Sequence, residues 1–238
     1  MKYFNKNLLT VLTLGLCLST TFAHAEAKFS IGAKLLPGHG WSGTNNRDGE
    51  SDYQARATQL VLLGAFRVNR FYGAFSFQGA KYRFDNPAPD INDKLGSTQV
   101  DHQTIQLGES DLSFGYYVTP KFSVFADIKS VGYVWVDSAR HISYTGLGLG
   151  VSGLHPVSPD WTLYGNFGVI GNMKVKSDGE NIGKATGFAL EFGGITRLSN
   201  SLSATVGMKV QGQALAFDSG ATQNHARAGL VLGIVHQF

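Results

Sequence analysis

The sequence predicts an all-β chain: a transmembrane, antiparallel, up-and-down β-barrel of about ten strands. Three observations predict it. The last segment, 226–238, alternates with a period of two: Phe238, His236, Ile234, Leu232, Leu230 and Ala228 form a large, mostly apolar set. Gln237, Val235, Gly233, Val231, Gly229 and Arg227 form a smaller set with polar ends. That is a strand with one greasy face, long enough to cross a bilayer at a tilt. Second, short turns and long polar stretches strictly alternate along the chain. Third, 30 Gly and 16 Phe accompany only 6 Pro, yet mean hydropathy is −0.05. Outward and inward residues alternate in a membrane barrel, so their hydropathies cancel in any window.

Residues 1–25 precede the first strand. Lys2 and Lys6 lead into an apolar run, 8–18, that closes on Ala23-His24-Ala25. This is a secretory signal peptide with an Ala-x-Ala cleavage site. The expected mature barrel domain is 26–238, beginning at Glu26. Cys17, the single cysteine, lies in the leader. Leu16 before it is too large for a lipoprotein signal, so the mature chain is expected to carry neither lipid nor disulfide. Without Lys2 and Lys6 the net charge is about +1, and nothing suggests nucleic acid.

The first strand covers 28–36, with Phe29, Ile31, Ala33 and Leu35 on one face. Residues 37–56 are polar and glycine-bearing and read as a loop. Strands follow at 57–67 and 71–84 around a turn at 68–70; Phe71, Phe75 and Phe77 share a face. A loop covers 85–103. Strand 104–118, the turn at Pro120, and strand 122–136 form the next hairpin, followed by a loop at 137–141. Strands 142–154 and 161–175 flank a turn through Pro156, with a loop at 176–184. Strands 185–198 and 202–217 flank Ser199-Asn200-Ser201. A loop at 218–225 leads into 226–238. Strand 104–118 changes greasy face near Gly108, which predicts a bulge there or an exit from the membrane. Lys81 and Arg83 continue an outward parity and are expected above the membrane.

With its period-two last strand ending in Phe238, the chain resembles bacterial outer-membrane β-barrels. The resemblance is architectural, spans the mature chain and names no subfamily. It implies a Gram-negative outer membrane and contact with the lipid bilayer and lipopolysaccharide. It also implies recognition of the C-terminal strand by the barrel-assembly machinery. In such barrels the short turns are periplasmic and the long loops extracellular. An even strand count then puts both mature termini in the periplasm. Phe71, Phe122, Trp161, Leu202 and Phe238 stand at the short-turn end and predict a periplasmic girdle.

The inward parity carries charge. Pairing Tyr117 with Ser123 sets Asp111 opposite Lys129. Pairing Leu198 with Leu202 sets Glu191 opposite Lys209, at similar depth. Glu109, Asp127, Arg197 and Arg227 share the inward parity. These eight residues form the expected lumen charge network, and a barrel of about ten strands is narrow enough for it to fill the bore. No cofactor is expected. The scattered His39, His155, His225 and His236 lack metal-ligand spacing.

The leading function is therefore a non-enzymatic outer-membrane barrel with a narrow or occluded lumen. It would be a small porin-like channel or a surface-exposed structural or adhesive protein. The alternative is a lipid-modifying hydrolase. His141-Ile142-Ser143 resembles the His-x-Ser pair of lipid A 3-O-deacylases, in which a base activates a serine. Tyr144 stands where that family has Asn, and His155 where it has its orienting Glu. Asp101-His102, with Asp90 and Asp93 nearby, is similar to an omptin protease pair but lacks the surrounding motifs. Lipid profiles of cells carrying Ser143→Ala separate the enzyme from the inert barrel.

Overall fold

The computed structural model describes residues 27–46, 50–85, 102–136 and 141–238. The leader, Glu26, Asp90, Asp93, Asp101 and the tips 47–49, 86–101 and 137–140 lie outside the described residues. Ten antiparallel strands form one closed barrel. They are β1 (Ala27–Asn46), β2 (Glu50–Val68), β3 (Phe71–Asp85), β4 (His102–Thr119) and β5 (Phe122–Trp135). Then come β6 (His141–Pro156), β7 (Trp161–Ser177), β8 (Glu180–Arg197), β9 (Leu202–Phe217) and β10 (Thr222–Gln237). Each strand pairs with its sequence neighbours, and β1 closes on β10 from Ser30↔Gln237 upward. Closure leaves no edge, so backbone groups facing lipid are satisfied within the sheet.

The strands are longer than the sequence pattern implies. Residues 37–46 and 50–56 were expected in a loop but extend β1 and β2 into a hydrogen-bonded ladder. The expected loops at 176–184 and 218–225 likewise shrink, to turns at Asp178-Gly179 and 218–220. The reason is an inversion of polarity along each strand. Near the short turns the outward residues are apolar and exposed, as with Phe29, Ile31, Leu60 and Leu62. Farther up, Trp41, Tyr53, Tyr82, Phe84 and Tyr133 point inward and are buried, while Gln54, Arg56, Lys81 and Arg83 point outward. A strand that has left the bilayer has water on its outer face, so its apolar side turns in.

Strand β4 shows the same change without a bulge. Its pairing runs unbroken through Gly108 on both sides, from Ile105 to Tyr116. Of the two expectations for Gly108, the bulge is overturned, and the inward burial of Ile105 and Leu107 agrees with the other. Bulges occur elsewhere. Leu36 and His39 both face the lumen, with a register shift between them at Pro37-Gly38. Pro37 has no N–H to give the ladder, and Gly38 takes φ 59°, a left-handed angle that glycine adopts without strain. Ile170 and Met173 are both buried across a matching shift, where Asn172 sits at φ 53°.

Candidate functional site

Inside the barrel a charged layer separates an aromatic plug above from a cavity below. The layer centres on Glu109 of β4, whose side chain is wholly buried. Glu109 Oε1 accepts from Lys129 Nζ at 2.6 Å and from Gln211 Nε2 at 2.9 Å. Its Oε2 accepts from Arg227 Nη2 at 2.9 Å. Lys129 also lies 2.7 Å from Asp111 Oδ2, its cross-strand partner. Asp127 faces the lumen two residues below Lys129 and is 8% exposed. The inward parity of β4, β5, β9 and β10 brings these groups to one height. Bonds to ionised partners are short and strong, which lets the charges remain buried.

The second expected pair is rearranged. Glu191 and Lys209 stand opposite each other in register, but Lys34 of β1 takes the carboxylate at 2.5 Å. Tyr164 OH donates to the same oxygen at 3.0 Å. Lys209 Nζ instead donates to Gln78 Oε1 at 2.9 Å. Lys34 reaches across β10 and β9 where Gly233 leaves room for its stem, and Gly207 leaves room for the Tyr164 hydroxyl. A Cβ on Gly233 would lie 2.9 Å from Lys34 Cγ, and one on Gly207 would lie 2.7 Å from Tyr164 OH. Lys34, Gln78 and Gln211 were missed as layer members, although all three carry the inward parity. Arg197 is exposed at the short-turn end and stands apart from the layer.

Above the layer, Trp41, Tyr82, Phe84, Tyr133 and Tyr144 are at most 1% exposed. Trp41 meets Tyr82 edge-on at 5.1 Å and Phe84 at 5.2 Å, and its ring lies 5.1 Å from Tyr133. Its Nε1 donates to His225 Nδ1 at 3.0 Å. Tyr133 and Tyr144 join through their hydroxyls, and Tyr144 donates to Gln213 Oε1 at 2.5 Å. His39 Nδ1 pairs with Tyr82 OH at 2.6 Å. The Tyr82, Tyr133 and Tyr144 hydroxyls and the Trp41 indole N–H are thus satisfied inside an aromatic cluster, as buried tyrosines require. Below the layer a cavity of about 300 Å³ is lined by Tyr72, Asp111, Asp127, Lys129, Glu191 and Lys209, among others.

No protein-family profile matches the chain, and no curated protein matches it. Solved structures do. The outer membrane protease OmpT from Escherichia coli superposes with a TM-score of 0.58 at 11% identity, covering 89% of this chain and 97% of that one. An outer membrane channel from Pseudomonas putida F1 gives 0.46 at 13% identity, over 89% and 95%. Neisserial surface protein A gives 0.34 at 11%, over 88% and 97%. At these identities the likeness is one of fold, and the OmpT superposition carries it. The chain has the fold of a Gram-negative outer-membrane β-barrel.

The residues expected to form a girdle stand at the short-turn end of this barrel. Phe71, Phe122, Trp161 and Phe238 each leave 41% or more of their surface exposed, facing outward. Leu202 is half-buried. Phe29 and Tyr116, which were not expected there, join this end; the Tyr116 ring meets Phe71 at a tilt, 5.1 Å away. Phe238 donates its N–H to Phe29 O at 2.8 Å, tying the chain end to the first strand. Deleting Phe238 is expected to lower the folded yield in cells sharply and to change refolding into detergent little. One backbone bond and one exposed ring contribute little to the ladder. Normal assembly in cells would remove the role of the terminal Phe as a signal.

The enzyme candidates are placed separately. His141 and Ser143 share the outer face of β6, whereas Tyr144 is buried in the plug. No side-chain hydrogen bond joins His141 to Ser143 among the described residues. Asp178 accepts the backbone N–H of His141 at 3.3 Å, and His155 is near the opposite end of β6. Among the described residues no group of three or more His, Cys, Asp or Glu is arranged to hold a metal.

Proposed function

We propose that this protein is an exported, non-enzymatic outer-membrane barrel with a sealed lumen, serving as a surface-exposed structural or adhesive protein. The leader 1–25 directs export, the C-terminal strand engages the assembly machinery, and both mature termini are periplasmic. One observation carries the sealed lumen: the aromatic plug of Trp41, Tyr82, Phe84, Tyr133 and Tyr144 fills the bore directly above a buried charged layer. An ion crossing it would have to shed water among aromatic rings. The hydrolase alternative has weaker support, because the serine and histidine it needs make no hydrogen bond to each other.

Planar-bilayer recording of the refolded protein tests this. No discrete conductance steps are expected. Stable open-channel currents would overturn the sealed lumen in favour of a small channel. Topology has its own test. A tag inserted after Asn46 should be accessible on intact cells, because the ends of β1 and β2 at Asn46 and Glu50 lie at the opposite end of the barrel from Phe238. Detection only after permeabilisation would invert the orientation.

A further inference from the structure

The outer wall of β7 and β8 carries three lysines that make no ion pair among the described residues, although Asp178 and Glu180 stand at the turn above. Lys174 and Lys184 are direct cross-strand partners. Both are exposed, while the alternate residues Met173, Val175 and Ala185 are buried, so both ammonium groups point outward. Lys176 follows on the same face, opposite Asn181. On the next strand Thr145 pairs with Lys174 and Ser143 with Lys176, which adds two outward hydroxyls to the patch. Like charges directly opposite in a sheet repel. Here no ion pair among the described residues offsets them. The carboxylate of Asp178, at the turn above, is held by a backbone N–H.

The position of the patch is as informative as its charge. Two rows beneath it, Leu149, Val169 and Phe188 form a continuous lipid-facing row. A row with Gly171, Thr186 and Ala214 follows, and then the lysines. Lys174 is 13 residues along β7 from the girdle residue Trp161. A rise of about 3.3 Å per residue at a tilt near 40° puts it about 30 Å above the girdle. The apolar band of such barrels is about 25 Å tall. The lysines therefore stand at headgroup height on the long-loop side, with acyl-chain surface below.

We propose that Lys174, Lys176 and Lys184 form a binding site for the phosphate of a phosphorylated glycolipid of the outer leaflet, the lipid A moiety of lipopolysaccharide. The proposal rests on the outer-membrane placement and orientation given above. A phosphate between the lysines cancels their repulsion and accepts charge-assisted hydrogen bonds from each. Ser143 and Thr145 hydroxyls reach the sugar side, and the acyl chains lie on Leu149, Val169 and Phe188. The outward pair Lys81 and Arg83 on β3 differs: their cross-strand partners on β4 are the neutral Gln106 and Thr104.

The test uses the full mature chain refolded in a zwitterionic detergent. The probes are lipid A, dephosphorylated lipid A and inorganic phosphate. Lipid A should bind saturably, and Lys174→Ala/Lys176→Ala/Lys184→Ala should weaken binding by at least about tenfold, as loss of several charged bonds requires. Lys81→Ala/Arg83→Ala should leave it unchanged. Dephosphorylated lipid A should bind weakly to wild type and triple variant alike. All substituted residues are exposed, so the strand circular-dichroism signal should be unaltered. Equal lipid A affinity in the triple variant would overturn the site, as would equal binding of dephosphorylated lipid A. Displacement by inorganic phosphate at concentrations comparable to lipid A would show a free-anion site and overturn the lipid. Fractionation and tag accessibility are read separately, so a misplaced or inverted barrel is distinguishable from a correctly placed barrel without this site.

Discussion

Glu109→Ala is expected to destabilise the barrel by about 3–5 kcal/mol, the cost of stripping one partner from a buried ion cluster. The carboxylate receives Lys129, Gln211 and Arg227. Removing it leaves the Arg227 guanidinium buried with no counter-ion, while Lys129 keeps only Asp111. Both cations are at most 3% exposed, with the aromatic plug above them. Lys209→Ala should cost much less. Its ammonium holds only the neutral Gln78, and Glu191 keeps Lys34. Urea unfolding of the refolded variants measures both. Equal losses for the two substitutions would mean that Glu109 is not the centre of the layer. Reversing both charges of Glu191 and Lys34 should recover more stability than reversing Glu191 and Lys209, because only the first pair is in contact.

Trp41→Ala should also cost about 3–5 kcal/mol, the usual penalty for deleting a large buried aromatic. Trp41 is enclosed by Tyr82, Phe84, Tyr133 and His225, and His225 Nδ1 loses its donor. The consequence for the lumen is separable from that for stability. Trp41→Ala with Tyr133→Ala removes two neighbouring rings from the plug, so current steps absent in wild type should appear in planar bilayers. If the double variant folds and stays silent, the charged layer rather than the aromatic plug is the seal. If Trp41→Ala unfolds no more readily than wild type, the plug is looser than its burial implies.

The strands near the short turns were legible because their signal is local. Phe29, Ile31 and Leu35, or Leu230, Leu232 and Ile234, lie on one parity and face one solvent, the lipid. The same locality misled for 37–46 and 50–56. There the outer solvent is water, His39 and Trp41 turn inward, and the residues between are polar, a composition indistinguishable from a loop. The bulge at Pro37-Gly38 adds a change of parity that no period-two count follows through. Register within a hairpin was also legible, as for Asp111 and Lys129, since a short turn fixes which residues stand opposite.

Sequence by itself therefore determined the barrel class, the strand number and the cross-strand register of Asp111 with Lys129 and of Glu191 with Lys209. Only the tertiary structure decided which of those charges meet. Lys34 and Glu191 are 157 residues apart in the chain, and Glu109 and Arg227 are 118 apart. Both contacts exist because closure of β1 on β10 brings non-adjacent strands across one narrow bore. Gly233 leaves room for the Lys34 side chain in the first contact. Alternation is a property of one strand and survives in the sequence. A contact across the bore depends on the summed register of every strand between and on the side chains that leave room, and no single stretch of the chain contains that information.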